Sequence, residues 1–267
     1  MSDASGAPTA DEQASPTGIL SQQLQEGLNE LERPTGGLAL SGVSAGLDIG
    51  FGPLLMAVLV SLAAGEWSEP VLELALANAY AVGFVFVVIG RSELFTEHTT
   101  LAVLPVLDGR AGVRSLARLW GVVFGANVVG GTVFAGLAVL VAPEYGIADA
   151  AAFEAVATPL VAHSAVPLFA GAVLAGWLMG LMSWLVAAAQ ETISRAFFVW
   201  LVAATIGIAH LPHCIAGNVE VLLGVFSGVV SPTEYARFLA FATAGNLLGG
   251  VVFVSLLKYS HVVRGGD

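Results

Sequence analysis

The chain has 267 residues, of which 57% are hydrophobic and only 11% are Asp, Glu, Lys or Arg, against about 25% charged residues in an ordinary soluble domain. With a mean hydropathy of +0.85 it cannot clothe a water-exposed surface, which excludes a soluble enzyme and a disordered chain. A net charge of −11 would repel phosphate backbones, and the single cysteine, Cys214, excludes an internal disulfide framework and a cysteine-based zinc finger, so a nucleic-acid partner is not expected and a lipid bilayer is.

Residues 1–38 read as a separate polar, cytoplasmic tail, its acids (Asp3, Asp11, Glu12, Glu26, Glu30 and Glu32) opposed only by Arg33. The tail lacks the basic start and short apolar core of a cleaved signal peptide, so it is expected to be retained. Ile19, Leu20, Leu24, Leu28 and Leu31 recur at roughly helical intervals. That spacing suits a short amphipathic helix lying along the membrane; a loosely ordered tail is the alternative.

A helix needs about 20 apolar residues to cross the hydrocarbon core. Residues 39–262 contain six candidate regions, at 40–64, 71–107, 113–141, 166–189, 196–230 and 233–259, leaving 263–267 as a short cytoplasmic end. The second and fifth are too long for one crossing and are interrupted by Gly90-Arg-Ser-Glu-Leu-Phe-Thr-Glu-His98 and His210-Leu-Pro-His-Cys-Ile-Ala-Gly-Asn218. Each is expected to be a half-helix, a non-helical loop and a second half-helix, and Gly90, Pro212 and Gly217 suit such breaks. Arg33, Arg110, Arg114, Arg118, Arg195, Lys258 and Arg264 fall on one side of this arrangement, and the stretches 65–70 and 142–165 carry no Lys or Arg. By the positive-inside rule both termini are cytoplasmic.

Asn127-Val-Val-Gly-Gly-Thr-Val-Phe134 in the third region recurs as Asn246-Leu-Leu-Gly-Gly-Val-Val-Phe253 in the sixth, 119 positions on, and the same offset carries Phe95 of the first break to position 214 inside the second. Three spans per half force the second half to enter the membrane upside down. The fold class expected is therefore an all-α membrane protein of six transmembrane helices, an inverted 3+3 repeat whose binding region lies where the broken second and fifth helices meet.

The Leu94-Phe95-Thr96 break, the His213-Cys214-Ile215-Ala216-Gly217-Asn218 break and the Gly245-Asn246-Leu247-Leu248-Gly249-Gly250 patch resemble the formate/nitrite transporter family over about residues 40–260. Ser92-Glu-Leu-Phe-Thr-Glu97 and Gly217-Asn-Val-Glu220 resemble a less characterised branch of it. The resemblance implies an aquaporin-like protomer, a homopentamer with one pore per protomer, and transport of small monovalent anions of weak acids, such as formate, nitrite, hydrosulfide or lactate, together with protons. Moving a bare anion into a low-dielectric lining costs on the order of 20 kcal/mol by the idealised Born estimate. Two devices answer that cost: half-helix N-termini, which present N–H groups to an anion, and a histidine, whose ordinary pKa lies near neutrality. His213 is the expected proton donor, Thr96 the group that fixes its ring, Leu94 and Phe95 the apolar constriction, and Asn218 and Asn246 further pore residues. His210 competes with His213 for that role.

This sequence departs from the best-known members of the family. Their outer lysine falls at Ser164, beside His163, and an asparagine of the fourth span falls at Gly180, which puts formate or nitrite specifically in doubt. The charges Arg91, Glu93, Glu97 and Glu220 at the breaks are open between proton relay and ion pairs, with Arg91–Glu97 a pair across the loop. Asp48 is either cytoplasmic or pore-facing. Two other classes were weighed. A water-type pore lacks its Asn-Pro-Ala pairs here. An intramembrane metal enzyme built on Glu97, His98, His210 and His213 is opposed by Pro212 and by the absence of a His-Glu-x-x-His run, so neither catalysis nor a cofactor or metal is expected.

Overall fold

The computed structural model describes residues 15–63 and 65–265, and every regular element among them is helical. Asp3, Asp11 and Glu12 of the tail lie outside the described residues. α1 (Pro16–Glu32) begins under a Ser15 cap, whose hydroxyl accepts the Gly18 N–H at 3.0 Å, with Pro16 in the first turn, where no intrahelical N–H bond is lost. Its apolar stripe rests on protein. Ile19, Leu20 and Leu24 pack with Leu104, Trp184 and Ala187, and Gln23 donates from Nε2 to the Ser183 carbonyl at 3.0 Å.

The chain continues through α2 (Thr35–Ile49), α3 (Phe51–Ala63), α4 (Glu69–Ile89) and the short α5 (Phe95–Leu101) and α6 (Leu104–Leu107). Then come α7 (Val113–Glu144), α8 (Ala150–Val161), α9 (Ala165–Ala188), α10 (Thr192–Ile208), α11 (Ala216–Phe226) and α12 (Pro232–Leu248), which passes through a π-helical segment, Gly249–Leu256, into α13 (Leu257–Gly265). Among the described residues, five continuous helical stretches are long and apolar enough to cross a bilayer: Thr35–Ala63, Glu69–Ile89, Val113–Glu144, Ala165–Ala188 and Pro232–Gly265. The apolar region 196–230 is divided between α10 and α11, each shorter than a crossing.

The stretch 142–165, which hydropathy leaves as an acidic outer loop, contains α8. Asp149 caps it by accepting the Ala152 N–H at 3.0 Å, and Phe153, Val156, Ala157 and Leu160 are buried on the side where it meets α11 and α3. These four residues form a helical stripe, but 12 residues are too few to register as a span. α1 and α8 thus play matching parts, since each is an amphipathic helix laid over one of the short half-helices, α5 or α11.

Glycines set the closest helix crossings, α2 on α7 and α9 on α12. A Cβ on Gly46 would lie 2.2 Å from the Asn127 carbonyl oxygen, and one on Gly176 would lie 2.2 Å from that of Asn246. From the facing helices, Gly130 and Gly249 meet the Val43 and Val173 carbonyl oxygens at the same 2.2 Å. In lipid, where apolar burial does not drive helices together, such close backbone approach supplies the packing energy. Gly46→Leu or Gly176→Leu is expected to destabilise the protein by at least about 3 kcal/mol, because the atoms met are backbone and cannot swing aside. Gly37→Ala, with nothing within 4 Å of the new methyl, should leave thermal unfolding in detergent unchanged.

Candidate functional site

Two interruptions of helix face each other in the middle of the bundle. The first runs from Gly90 to Leu94 between α4 and α5, and the second from Ala209 to Ile215 between α10 and α11. Each opens on a left-handed residue, Arg91 at φ 57° and His210 at φ 48°, the only non-glycine residues of that kind among those described, and 119 positions apart. A left-handed non-glycine residue costs roughly 1–2 kcal/mol and persists only where its surroundings hold it.

Two buried carboxamides provide that hold. Asn127 Oδ1 accepts the Phe95 N–H at 2.8 Å, and its Nδ2 donates to the carbonyls of Gly42 and Glu93, both at 2.8 Å. Asn246 Oδ1 accepts the Cys214 N–H at 2.8 Å, and its Nδ2 donates to Ala172 and Pro212 at 2.8 and 3.0 Å. Each asparagine therefore ties a break to the helix on its other side and satisfies backbone groups that hydrocarbon would leave unpaired.

Thr96 and His213 meet between the breaks. Thr96 Oγ1 lies 2.8 Å from His213 Nε2, and the two residues are 0% and 1% exposed. His213 Nδ1 accepts the N–H groups of Ile215 and Ala216 at 3.3 and 3.1 Å, so a neutral ring carries its hydrogen on Nε2 and donates it to Thr96. The Phe84 ring stands edge-on to the imidazole at 5.0 Å. Leu94 is fully buried, and the Phe95 ring packs on Phe124 and Trp120 of α7. The half-helix N–H groups expected to face an anion are largely engaged within the protein, on Asn127, Asn246 and His213, and α5 has only seven residues.

The remaining sequence-marked residues separate. His210 sits at the surface, its Nε2 2.9 Å from Glu73, and does not reach Thr96. Asn218 accepts from the Tyr235 hydroxyl at 2.7 Å and packs against Gly131. Arg91 and Glu97 form no pair. Among the described residues Arg91 has no ion pair, and it is Arg33, at the end of α1, that bridges Glu93 and Glu30. Glu93 also contacts His98 Nε2. Burial first, and then the neighbouring Glu93, raise the Glu30 carboxyl above its ordinary value. Glu30, Glu93 and His98 are close enough to share a cation, but the Arg33 guanidinium already supplies their counter-charge, and His210 and His213 lie elsewhere, so the histidines do not converge as an enzyme centre would require. Asp48 accepts from Ser92 at 3.3 Å and so ties α2 to the first break.

A cavity of about 420 Å³ opens beneath α1, bordered by Glu26, Glu30, Arg91, Glu93, Glu97 and Arg195. A second, of about 80 Å³, opens beneath α8 and is bordered by Glu73, Tyr80, His210, Leu211 and Glu220. The Thr96–His213 pair borders neither. It is approached from the first through Glu97, next to Thr96 in the chain, and from the second through Tyr80 and Phe84, whose rings stack towards His213. Sequence alone gave no role to Asn127, Glu73, Tyr80 or Phe84. The 119-residue offset pointed to Asn127 as the counterpart of Asn246, whereas the other three sit in an apolar helix with nothing to distinguish them.

Long apolar helices around a buried polar pair, with a cavity at either end, define a multi-pass membrane protein of the channel and transporter kind. The formate/nitrite transporter family model matches residues 17–260, and the chain belongs to that family. It is 31% identical over 243 residues to the inner membrane protein YfdC of Escherichia coli, covering 89% of this chain and 76% of the relative. It is 28% identical to a probable formate transporter of Methanothermobacter thermautotrophicus, covering 85% and 89%. A solved pentameric formate channel with formate bound superposes with a TM-score of 0.71 at 23% identity over 86% of this chain and 98% of that one, which shows the shared fold.

Removing an asparagine strut leaves several buried groups unpaired. Asn127→Ala and Asn246→Ala should each cost about 3 kcal/mol or more, read as lost thermal stability in detergent. Asn246→Asp, which sets a carboxyl oxygen against the Ala172 and Pro212 carbonyls, should cost at least as much as the alanine variant.

Proposed function

We propose that the chain is the protomer of a homopentameric channel for small monovalent anions of weak acids, such as formate, nitrite or hydrosulfide, with transport linked to protons through His213. In this reading the protomer is a six-span inverted repeat whose second and fifth spans are broken, in the branch marked by Ser92-to-Glu97 and Gly217-to-Glu220. The repeated Asn127 and Asn246 struts, the paired left-handed turns and the matching glycine crossings support it. The family and the formate-bound pentamer of like fold support the substrate class and the ring. The α1 end gathers Arg33, Arg118 and Lys258, the last over the Trp184 ring, and this supports cytoplasmic termini. The α1-side cavity is then the inner vestibule and the α8-side cavity the outer one.

One observation carries the mechanism: a titratable ring from the second half lies within hydrogen-bond reach of a hydroxyl from the first, both of them buried. An anion arriving there must lose its charge or face the Born cost. Proton exchange between substrate and ring runs at Nε2, beside the Thr96 hydroxyl, because Nδ1 is engaged by two backbone donors. Leu94 and Phe95 close the path to hydrated ions on the inner side.

Stopped-flow uptake of formate, nitrite, hydrosulfide and water into vesicles bearing a pH gradient tests the assignment. Weak-acid uptake that follows the gradient supports it, and selective water flux would favour a neutral-solute pore. His213→Phe should abolish proton-linked uptake with the assembly intact, and Thr96→Val should slow it about tenfold, the worth of one buried hydrogen bond. Undiminished pH-dependent uptake by the histidine variant would contradict the role given to the ring.

A further inference from the structure

The outer vestibule is chemically odd for an anion path. No lysine or arginine borders it, and its ionisable groups are Glu73, Tyr80, His210 and Glu220. Glu73 and His210 pair with each other at the part-exposed mouth. Deeper in, Glu220 is only 6% exposed and Tyr80 only 3%, and among the described residues neither side chain has a hydrogen-bond or ion-pair partner. The helices packed on α11 bring Glu220 no cation. α3 has no titratable residue, Glu154 of α8 and Glu144 of α7 are exposed acids, and the cations of α7, Arg114 and Arg118, lie in its first turns at the α1 end, where Arg118 donates to the Leu31 carbonyl. On α12, Glu234 serves the Ser231 cap, Tyr235 donates to Asn218, and Arg237 donates to the Val161 carbonyl. Glu220 and Tyr80 therefore present their polar atoms to one small enclosed space, and a carboxyl held there permanently charged would exclude the substrate.

We propose that Glu220, with Tyr80 beside it, is a proton-loading site for a small weak-acid anion entering from outside. This rests on the reading of the chain as a weak-acid channel and extends it to the outer vestibule. A single water needs roughly 10–15 Å³ of such space, so about 80 Å³ admits an anion of a few atoms and little else. The anion's oxygen accepts the Glu220 O–H, that bond breaks as a new O–H forms on the substrate, and the neutral acid moves on towards Thr96 and His213. The carboxylate left behind takes a proton from hydronium in the outer water by way of the Glu73–His210 mouth. One anion and one proton leave the outside for each neutral acid that proceeds. Transfer from carboxyl to carboxylate joins groups of like kind and needs no further reactant. Tyr80 keeps its proton throughout and hydrogen-bonds first to the substrate's other oxygen and then to the Glu220 carboxylate.

The test is formate uptake by the reconstituted full-length protein over a series of outer pH values. Without a donor in the outer vestibule, only acid already neutral outside can reach the Thr96–His213 level, so uptake follows outer formic acid and falls about tenfold per pH unit above its acidity. Wild type should fall less steeply, Glu220→Asp should keep the shallow profile, and Glu220→Gln, which cannot donate a proton, should show the full slope and be at least about tenfold slower at neutral outer pH. A Glu220→Gln profile that overlays wild type overturns the assignment. Should the glutamine variant not assemble, the carboxylic C=O infrared band that differs between wild type and Glu220→Asp must respond to formate, and an unresponsive band overturns it as well. Wild-type protein that moves no weak acid at all would instead remove the proposed function, a separate result.

Discussion

The middle of a bilayer tolerates neither an unpaired peptide group nor an unpaired charge, and most of this protein follows from that constraint. Two interrupted helices expose peptide groups at the depth where water is absent. Asn127 and Asn246 each supply one acceptor and two donors there, so the breaks survive as defined shapes. In the proposed channel the same dryness makes the Thr96–His213 contact consequential, since an ion reaching it would have lost its hydration and gained little in return. Backbone satisfaction and charge management are solved within a few residues of one another.

The two cavities flanking the Thr96–His213 pair are each covered by an amphipathic helix and differ in the charges that line them. Beneath α1, Arg33 balances Glu30 and Glu93, so the large vestibule combines acids with guanidinium groups from Arg33, Arg91 and Arg195. Beneath α8 there is no such balance, and the small vestibule offers an acid, a phenol and a paired histidine. In the proposed channel an anion is therefore met by guanidinium groups mixed with acids on one side and by exchangeable hydrogen on the other. This asymmetry arises from side chains laid on a backbone scaffold whose contacts repeat in both halves.

Much of this scaffold was legible in the sequence, because hydropathy, interruption and the 119-residue offset are properties of backbone placement. They located both breaks and the glycine crossings, while the expected meeting of Thr96 with His213 came from the family resemblance. Spacing did not decide between His210 and His213. The left-handed turn at His210 sends that ring outward to Glu73, and Asn246, by holding Pro212 and Cys214, returns the next histidine to the centre. That Arg33 bridges Glu93, while the expected Arg91–Glu97 pair does not form, was not legible, since the contact spans 60 positions and depends on where α1 docks. Asn218 looked like a pore residue because it follows the break, yet helical register turns it towards Gly131 and Tyr235. α8 escaped a reading tuned to membrane-length runs.

The central claim is that substrate crosses the Thr96–His213 level uncharged. Formate flux into vesicles of this protein, followed at zero pH gradient while a membrane potential is imposed with potassium and valinomycin, tests it most directly. The account predicts a flux that does not change with potential, because each anion travels with one proton. A flux that rises and falls steeply with potential would show bare anions passing the middle and would contradict it.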